Sequence, residues 1–305
     1  MKNPGSHRMS GGFMIQSLLA EKKLLIERRL AQILVADIPE HARLYESMNY
    51  SLLAGGKRIR PALFLIVLEV LGAASEPYLD AACALECVHT YSLIHDDLPQ
   101  MDDDAYRRGK PANHMKYGAG MATMAGDGLL TFAFQLLAGM KAAPPAARCR
   151  LITLLAEAAG PSGMVGGQAQ DIESENQKIS LAALRVMDRC KTGCLLAVPL
   201  DMAAVIAGAD EKTAEALHSC GLHLGQLFQI TDDLLDLCGS LETMGKVPGQ
   251  DEAKKKSTYI SLLGEDGARR YAAEEAALAK ENAALLEGKG KPLMELADLL
   301  LTRTK

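Results

Sequence analysis

The chain has 305 residues, 49% of them apolar, with 33 basic and 38 acidic side chains and a formal net charge of −5. That composition supplies the core of one large domain or two ordinary ones and excludes global disorder. A pI near 5.8 argues against a nucleic-acid binder, no apolar run approaches the roughly 18 uninterrupted residues of a membrane span, and the opening stretch lacks the apolar segment and cleavage site of a secretory signal.

Residues 1–13 are read as a flexible leader, in part an expression scar, and 14–305 as one domain. Trp is absent and aromatics make up only 4%. Ile15, Leu18, Leu19, Ile26, Leu30 and Ile33 fall on one stripe about 120° wide on a helical wheel. Lys22 interrupts it and is expected to snorkel toward water. Helical segments follow over 41–54, 61–71, 77–97, 120–140, 146–159, 180–188, 190–207, 211–237, 257–263, 266–286 and 292–302. They are punctuated by Gly72, Pro77, Gly109-Lys110-Pro111, Pro144-Pro145, Gly160-Pro161, Gly208 and Gly288, with Asp210 as an N-cap. This is an all-α chain without a fixed repeat or a long linker. Residues 238–256, rich in Gly, Lys and acids, form the longest irregular stretch, either a lid or a plain surface connection.

Seven cysteines make an odd count, and none are spaced Cys-x-x-Cys. Cys83/Cys87 and Cys190/Cys194 are each four apart on one helix face. Buried structural thiols are the better reading than a metal pair, and the usage fits a reducing, cytoplasmic setting.

The chemistry lies in two aspartate clusters far apart in sequence, HDDLPQMDDD at 95–104 and QITDDLLDL at 229–237. In the second, Asp232, Asp233 and Asp236 are expected to share one helix face. Carboxylates crowded on an apolar helix repel unless a counter-ion joins them. A hard divalent cation, most simply Mg²⁺, takes such oxygen ligands. In the first cluster Pro99 should end the helix after Asp97, so that Asp102 returns from a short loop toward Asp96 and Asp97. An EF-hand fails, because Tyr106 occupies a ligand position and the loop Gly and closing Glu are missing. Either cluster alone could be a solvated acidic surface; two beside apolar residues point to a metal site.

Basic groups alternate with the acidic ones. GGKRIRP at 55–61 offers Lys57, Arg58 and Arg60 at a helix start. RRGKP places Arg107 and Arg108 directly after the first cluster, Lys191-Thr192 opens another helical stretch, and Lys246 and residues 254–256 follow the second cluster. Carboxylates with a divalent cation, facing Arg and Lys, suit a diphosphate. There is no GxxxxGK[ST], so a P-loop site is not indicated.

GGKRIRP, HTYSLIHDDLPQMDDDAYRRGKPANH, GMVGGQAQDIESE, KTG, FQITDDLLD and KSTY, in that order over about 45–265, resemble the trans-prenyltransferases, the short-chain isoprenyl diphosphate synthases. Within that family the motifs look most like bacterial farnesyl diphosphate synthases, with geranylgeranyl diphosphate synthases next. The resemblance implies an all-α isoprenoid-synthase fold, antiparallel helices surrounding a deep central cavity, in a homodimer. It implies head-to-tail condensation of isopentenyl diphosphate with dimethylallyl and geranyl diphosphates, through an allylic carbocation, to farnesyl diphosphate or, alternatively, the C20 product. Three Mg²⁺ per site are implied, with Mn²⁺ as a substitute.

By motif position, the resemblance marks Asp96, Asp97, Asp102, Lys191, Asp232 and Asp233 as the catalytic set. Asp96, Asp102 and Asp232 would be metal ligands, supported by Asp97 and Asp236. Arg107, Lys191, Thr192, Gln229, Lys246 and Lys256 correspond to allylic-diphosphate contacts. Lys57, Arg60, His89 and Arg108 correspond to the isopentenyl diphosphate site, and Asp171 to a cavity-lining acid. Tyr91 and Ser92, five and four residues before Asp96, sit where chain length is set; an aromatic floor at Tyr91 favours C15. Three departures stand out: extra lysines before Ser257, Ala112 where Thr is common, and a weak match of the final Arg-Thr-Lys to the family's basic tail. A terpene cyclase would need no GGKRIRP and only one aspartate motif, and a non-catalytic partner subunit would be expected to lose one.

Overall fold

In the computed structural model, which describes residues 11–236 and 256–303, the helical periodicity resolves into packed α-helices. The first is α1 (Gly11–Ile33). It begins within the stretch read as leader, so the boundary at residue 13 falls inside a helix. Ile15, Ile26 and Leu30 are fully buried, as the stripe requires. Lys22 does not snorkel. It is buried on the same face, with its ammonium 2.6 Å from Glu69 and 2.9 Å from Glu21. A partner on the neighbouring helix replaces the water that the sequence reading assumed it would seek.

The chain continues through α2 (Ala42–Leu52), α3 (Ile59–Val70) and α4 (Leu79–Asp96). A two-residue-per-strand hairpin follows, Tyr106–Arg107 against Lys110–Pro111. Next come α5 (Asn113–Tyr117), α6 (Ala119–Gly139), α7 (Pro145–Ala159), α8 (Met164–Glu173) and α9 (Leu181–Asp188). A π-helical turn, Arg189–Gly193, leads into α10 (Cys194–Ala207). Then come α11 (Glu211–Asp236), α12 (Tyr259–Ala284) and α13 (Lys291–Thr302). Residues 257–263 and 266–286, expected as two helices, form one element kinked at Gly264, whose φ is +70°. The Asp210 carboxylate accepts the N–H of Thr213 at 2.7 Å, capping α11 as expected.

The core is built from α3, buried all round from Pro61 to Leu68, and from α4, α10 and α11, with α4 packed on α6 and α11 on α12. Cys83 and Cys87 are buried inside α4, whereas Cys190 on the π turn and Cys194 at the start of α10 are only half-buried.

Two helices escaped the periodicity, the short α5 and α8. α8 contains Gly166 and Gly167, which lower helix propensity, so the sequence leaves it unassigned. The glycines serve a contact: a Cβ on Gly167 would lie 2.3 Å from the backbone N of Lys191. On the other side of the π turn, a Cβ on Gly225 of α11 would lie 2.5 Å from the Cα of Gly193. Two glycines thus let α8 and α11 close directly onto the backbone that carries Lys191 and Thr192.

Candidate active site

α4 delivers the first aspartate motif at its C-terminal end. The helix stops at Asp96, and Asp97 caps it. The chain then turns so that the N–H of Asp102 donates to the carbonyl of Asp96 at 2.8 Å, the return that Pro99 predicts. Burial raises the Asp96 carboxyl to about 6, with the nearby Asp102 adding to the rise and Lys191 opposing it. Asp97 is likewise raised to about 6 by burial, against hydrogen bonds from Arg107. Arg107 donates through Nε to Asp97 at 2.9 Å and through its terminal nitrogen to Asp97 and to Asp104 at 3.0 Å.

Three further elements bring opposite charge to this motif. The π turn places Lys191 and the segment entering α12 places Lys256, each with its ammonium 2.7 Å from the same oxygen of Asp171 on α8. Lys256 also lies 3.9 Å from Asp102. Burial by itself would raise Asp171, but the two ammonium groups overcome it and hold the carboxyl below its ordinary value. The acid whose role the motif left open is therefore the common counter-ion of two candidate diphosphate contacts.

α11 delivers the second motif. The expectation that three aspartates share one face is not met, because neighbouring helical positions are about 100° apart. Asp232 is partly exposed and takes a hydrogen-bonded ion pair from Arg303. Asp233 is buried: its two oxygens accept from the Gln229 amide at 3.1 Å and from the backbone N–H of Tyr259 at 3.0 Å. Gln229 in turn accepts from the Thr192 hydroxyl at 3.2 Å.

The basic group at 55–61 divides in two. Arg58, in the left-handed region with φ 52°, turns inward and binds Glu86 and the carbonyl of Leu52. It is a structural residue, which the sequence grouping with Lys57 and Arg60 did not distinguish. Lys57 is held below its ordinary value by burial and by Arg303, with Asp232 opposing. Burial lowers Arg60 to about 10 despite the fields of Glu86 and Asp232, and its buried Nε has no hydrogen-bond partner among the described residues. Arg108 donates to the carbonyl of Gly55 and approaches Glu86 at 3.5 Å. His89 is pushed well below its ordinary value by burial and by Arg60 and Arg108, so it is neutral at pH 7. Arg60, His89 and Arg108 thus lie in one another's fields, and Lys57 and Arg60 lie in the field of Asp232.

Tyr91 is buried, one helical turn before Asp96, with its ring edge-on to His95 at 5.7 Å. His95 is fixed by the carbonyl of Thr123 at 3.0 Å and faces Gly126, where no side chain fits. Burial and then the Asp96 charge push the Tyr91 phenol up to about 12. The Ser92 hydroxyl bonds back to the carbonyl of His89 at 3.0 Å and leaves the level to Tyr91. Lys246 and the rest of the stretch read as a lid, apart from Lys256, lie outside the described residues.

Sequence reasoning missed Glu86, Asp104, Tyr259 and the pairing of Arg303. Glu86 carried a signal, as a lone charge inside the apolar run of α4; Arg303 carried only the weak tail match.

The carboxylates of Asp96, Asp102 and Asp232 are hard oxygen donors suited to Mg²⁺. Among the described residues, no three His, Cys, Asp or Glu side chains converge into a complete cation site. The fit is therefore to a cation whose remaining ligands come from substrate. The orphaned Arg60 Nε and the Lys191–Lys256 pair show where an anion would complete the charges.

Helices that converge two aspartate motifs on clustered Lys and Arg define a diphosphate-handling isoprenoid synthase. The Polyprenyl synthetase family model matches residues 41–285, and the chain belongs to that family. It is 43% identical over 291 residues to the farnesyl diphosphate synthase of Geobacillus stearothermophilus, across 95% of this chain and 98% of the relative. Its fold superposes with a TM-score of 0.86 on an FPP/GFPP synthase from Zymomonas mobilis, at 31% identity over 95% of this chain and 100% of that one. A TM-score of 0.84, at 33% identity over 97% and 98% of the two chains, relates it to a Helicobacter pylori geranyltransferase complexed with magnesium and isoprenyl diphosphate.

Proposed function

We propose that this chain is a prenyltransferase that condenses isopentenyl diphosphate head to tail with dimethylallyl and then geranyl diphosphate, releasing diphosphate and ending at farnesyl diphosphate. The observation that carries this reading is the meeting of both aspartate motifs with two separate groups of cations. One group is Lys191 and Lys256 beside Asp96 and Asp102; the other is Lys57 and Arg60, in the field of Asp232, with Arg108 and the neutral His89 in the field of Arg60. One diphosphate per group is what a two-substrate condensation needs, and a cyclase needs only one.

Asp96, Asp102 and Asp232 would hold Mg²⁺, three ions per site with Mn²⁺ as a substitute, which supplies Lewis-acid stabilisation of the departing diphosphate. Lys191, Lys256 and Arg107 bind the remaining allylic diphosphate oxygens, with Thr192 and Gln229 donating hydrogen bonds and Lys246 as a further contact. Each must exchange a carboxylate partner for substrate, so the cations are already oriented before substrate arrives. Neutral His89 donates to the isopentenyl diphosphate beside Arg60 and Arg108 without adding another charge. Tyr91 closes the floor below Asp96 and favours C15 over C20.

The reading extends to a single domain over 14–305, a cytoplasmic setting and a homodimer. The dimer is supported by α6, an apolar helix only partly buried within the chain and with Met124 exposed, which leaves apolar surface for a partner.

The test is incubation with isopentenyl and dimethylallyl diphosphates and Mg²⁺, then chromatography of dephosphorylated products. Farnesol is expected, absent with EDTA and cut at least ~10²-fold by Asp96→Ala or Asp232→Ala. No condensation by the wild type rejects the reading; near-normal turnover in both variants rejects the metal assignment.

A further inference from the structure

Four consecutive residues, Lys256 to Tyr259, are fastened at four different points. Lys256 binds Asp171 and approaches Asp102. The Ser257 hydroxyl donates to the carbonyl of Gln177 at 3.2 Å and accepts the N–H of Ile179 at 3.3 Å. Thr258 caps α12 through a reciprocal bond with Ser261. Tyr259 is fully buried; its phenol is bonded to Gln226 and lies beside Asp188, the residue that precedes the π turn. The second aspartate motif joins these anchors at the Tyr259 N–H, which donates to Asp233.

We propose that Asp233 is a positioning residue for the allylic-diphosphate contacts. It holds the start of α12 through the Tyr259 N–H, so that Lys256 stays at Asp171 and Asp102. It also holds Gln229, and through Gln229 the Thr192 hydroxyl next to Lys191. One buried carboxylate thereby sets two of the allylic-diphosphate contacts from behind. The side chain is 7% exposed, and both of its oxygens are engaged by N–H donors. Its sequence neighbour Asp232, rotated about 100° around α11, presents the more exposed carboxylate.

The assignment rests on the proposed prenyl transfer and separates from it in one experiment. A metal ligand needs its negative charge, whereas a hydrogen-bond anchor needs only its shape. In Asp233→Asn the amide oxygen still accepts the Tyr259 N–H. The amide nitrogen then faces Gln229, whose own amide can turn over and donate to the Thr192 oxygen. Wild type, Asp232→Asn, Asp233→Asn, Asp233→Ala and Lys256→Ala are compared for turnover, for KM of each diphosphate, and for Mg²⁺ binding by calorimetry with inorganic diphosphate present.

Asp233→Asn is expected to bind as many Mg²⁺ as the wild type and to keep kcat/KM within ~10-fold. Asp232→Asn should lose a bound ion. Asp233→Ala should raise KM for the allylic substrate at least ~10-fold with little change for isopentenyl diphosphate. The Asp233→Ala/Lys256→Ala double variant should lose less than the sum of the two single losses, because part of the anchor acts through that lysine. Strict additivity in the double variant overturns the inference, and loss of a bound Mg²⁺ in Asp233→Asn overturns it even if Asp233→Ala fails to fold. A wild type without turnover fails the prenyl-transfer reading instead.

Discussion

The guanidinium of Arg303 sits on the carboxylate of Asp232, bonded as well to the carbonyl of Phe228 at 2.8 Å and the hydroxyl of Thr231 at 3.0 Å, and lies 4.2 Å over the Phe228 ring. A metal-ligand candidate is therefore already neutralised by a cation from the end of the described chain. Arg303 and Mg²⁺ must compete for it. Arg303→Ala should tighten Mg²⁺ binding in the presence of inorganic diphosphate by several-fold and lower the Tm of the metal-free protein, since charge-assisted bonds within α11 are lost. Unchanged Mg²⁺ affinity by calorimetry would show that the pair does not guard Asp232.

The contact between Gly167 and Lys191 gives a second prediction. A methyl group at 167 would meet backbone, which cannot move aside as a side-chain tip can. Gly167→Ala should cost about 1–3 kcal/mol of stability and depress turnover by shifting the π turn. Gly139→Ala, with nothing within 4 Å of the added carbon, is the control. Equal melting temperatures and equal turnover in the two variants would contradict the tight packing.

The two cation groups should be separable by kinetics. Lys57→Ala or Arg60→Ala is expected to raise KM mainly for isopentenyl diphosphate, and Lys191→Ala mainly for the allylic substrate, each by about 10-fold or more. Similar effects on both substrates in Lys57→Ala and Lys191→Ala would mean that the groups do not serve different diphosphates.

Metal binding should depend on pH. Asp96 and Asp97, both raised to about 6 by burial, are largely protonated at pH 5 and largely ionised at pH 7. Mg²⁺ takes the ionised form, so protons compete on the acid side. Apparent affinity should therefore rise between pH 5 and 7 and flatten above. The same raised values mean that the folded metal-free protein binds protons more tightly than the unfolded chain. Their contribution to metal-free stability is thus present at low pH and lost as pH rises through about 6. A Mg²⁺ titration that is flat from pH 5 to 7 would contradict the buried, proton-holding pair.

Tyr91 lies about 7.5 Å along α4 from Asp96 at the usual helical rise, braced by His95 against α6. Tyr91→Ala should shift the product from C15 toward C20 or longer. An unchanged chain-length distribution would remove Tyr91 as the floor, and a wild type making mostly C20 would overturn the C15 assignment itself.

The sequence by itself determined the all-α architecture, because helical periodicity and Gly/Pro breakers are local signals. It determined the return of Asp102 to Asp96, because Pro99 cannot continue a helix. The ordered motifs also identified the family. What only the tertiary structure decided is which charged residues neutralise one another. Arg58 and Arg60 are two residues apart, yet Arg58 is bound internally to Glu86 and the Leu52 carbonyl, whereas Arg60 lies in the fields of Glu86 and Asp232. Asp232 and Asp233 are adjacent, yet one faces Arg303 and the other anchors Tyr259. Lys22 reads as an interruption until Glu69 is seen beside it. The double glycine of α8 reads as a helix breaker until the Lys191 backbone is seen against it. In each case the deciding partner is distant in sequence, and charge pairing and close backbone approach depend on distance in space.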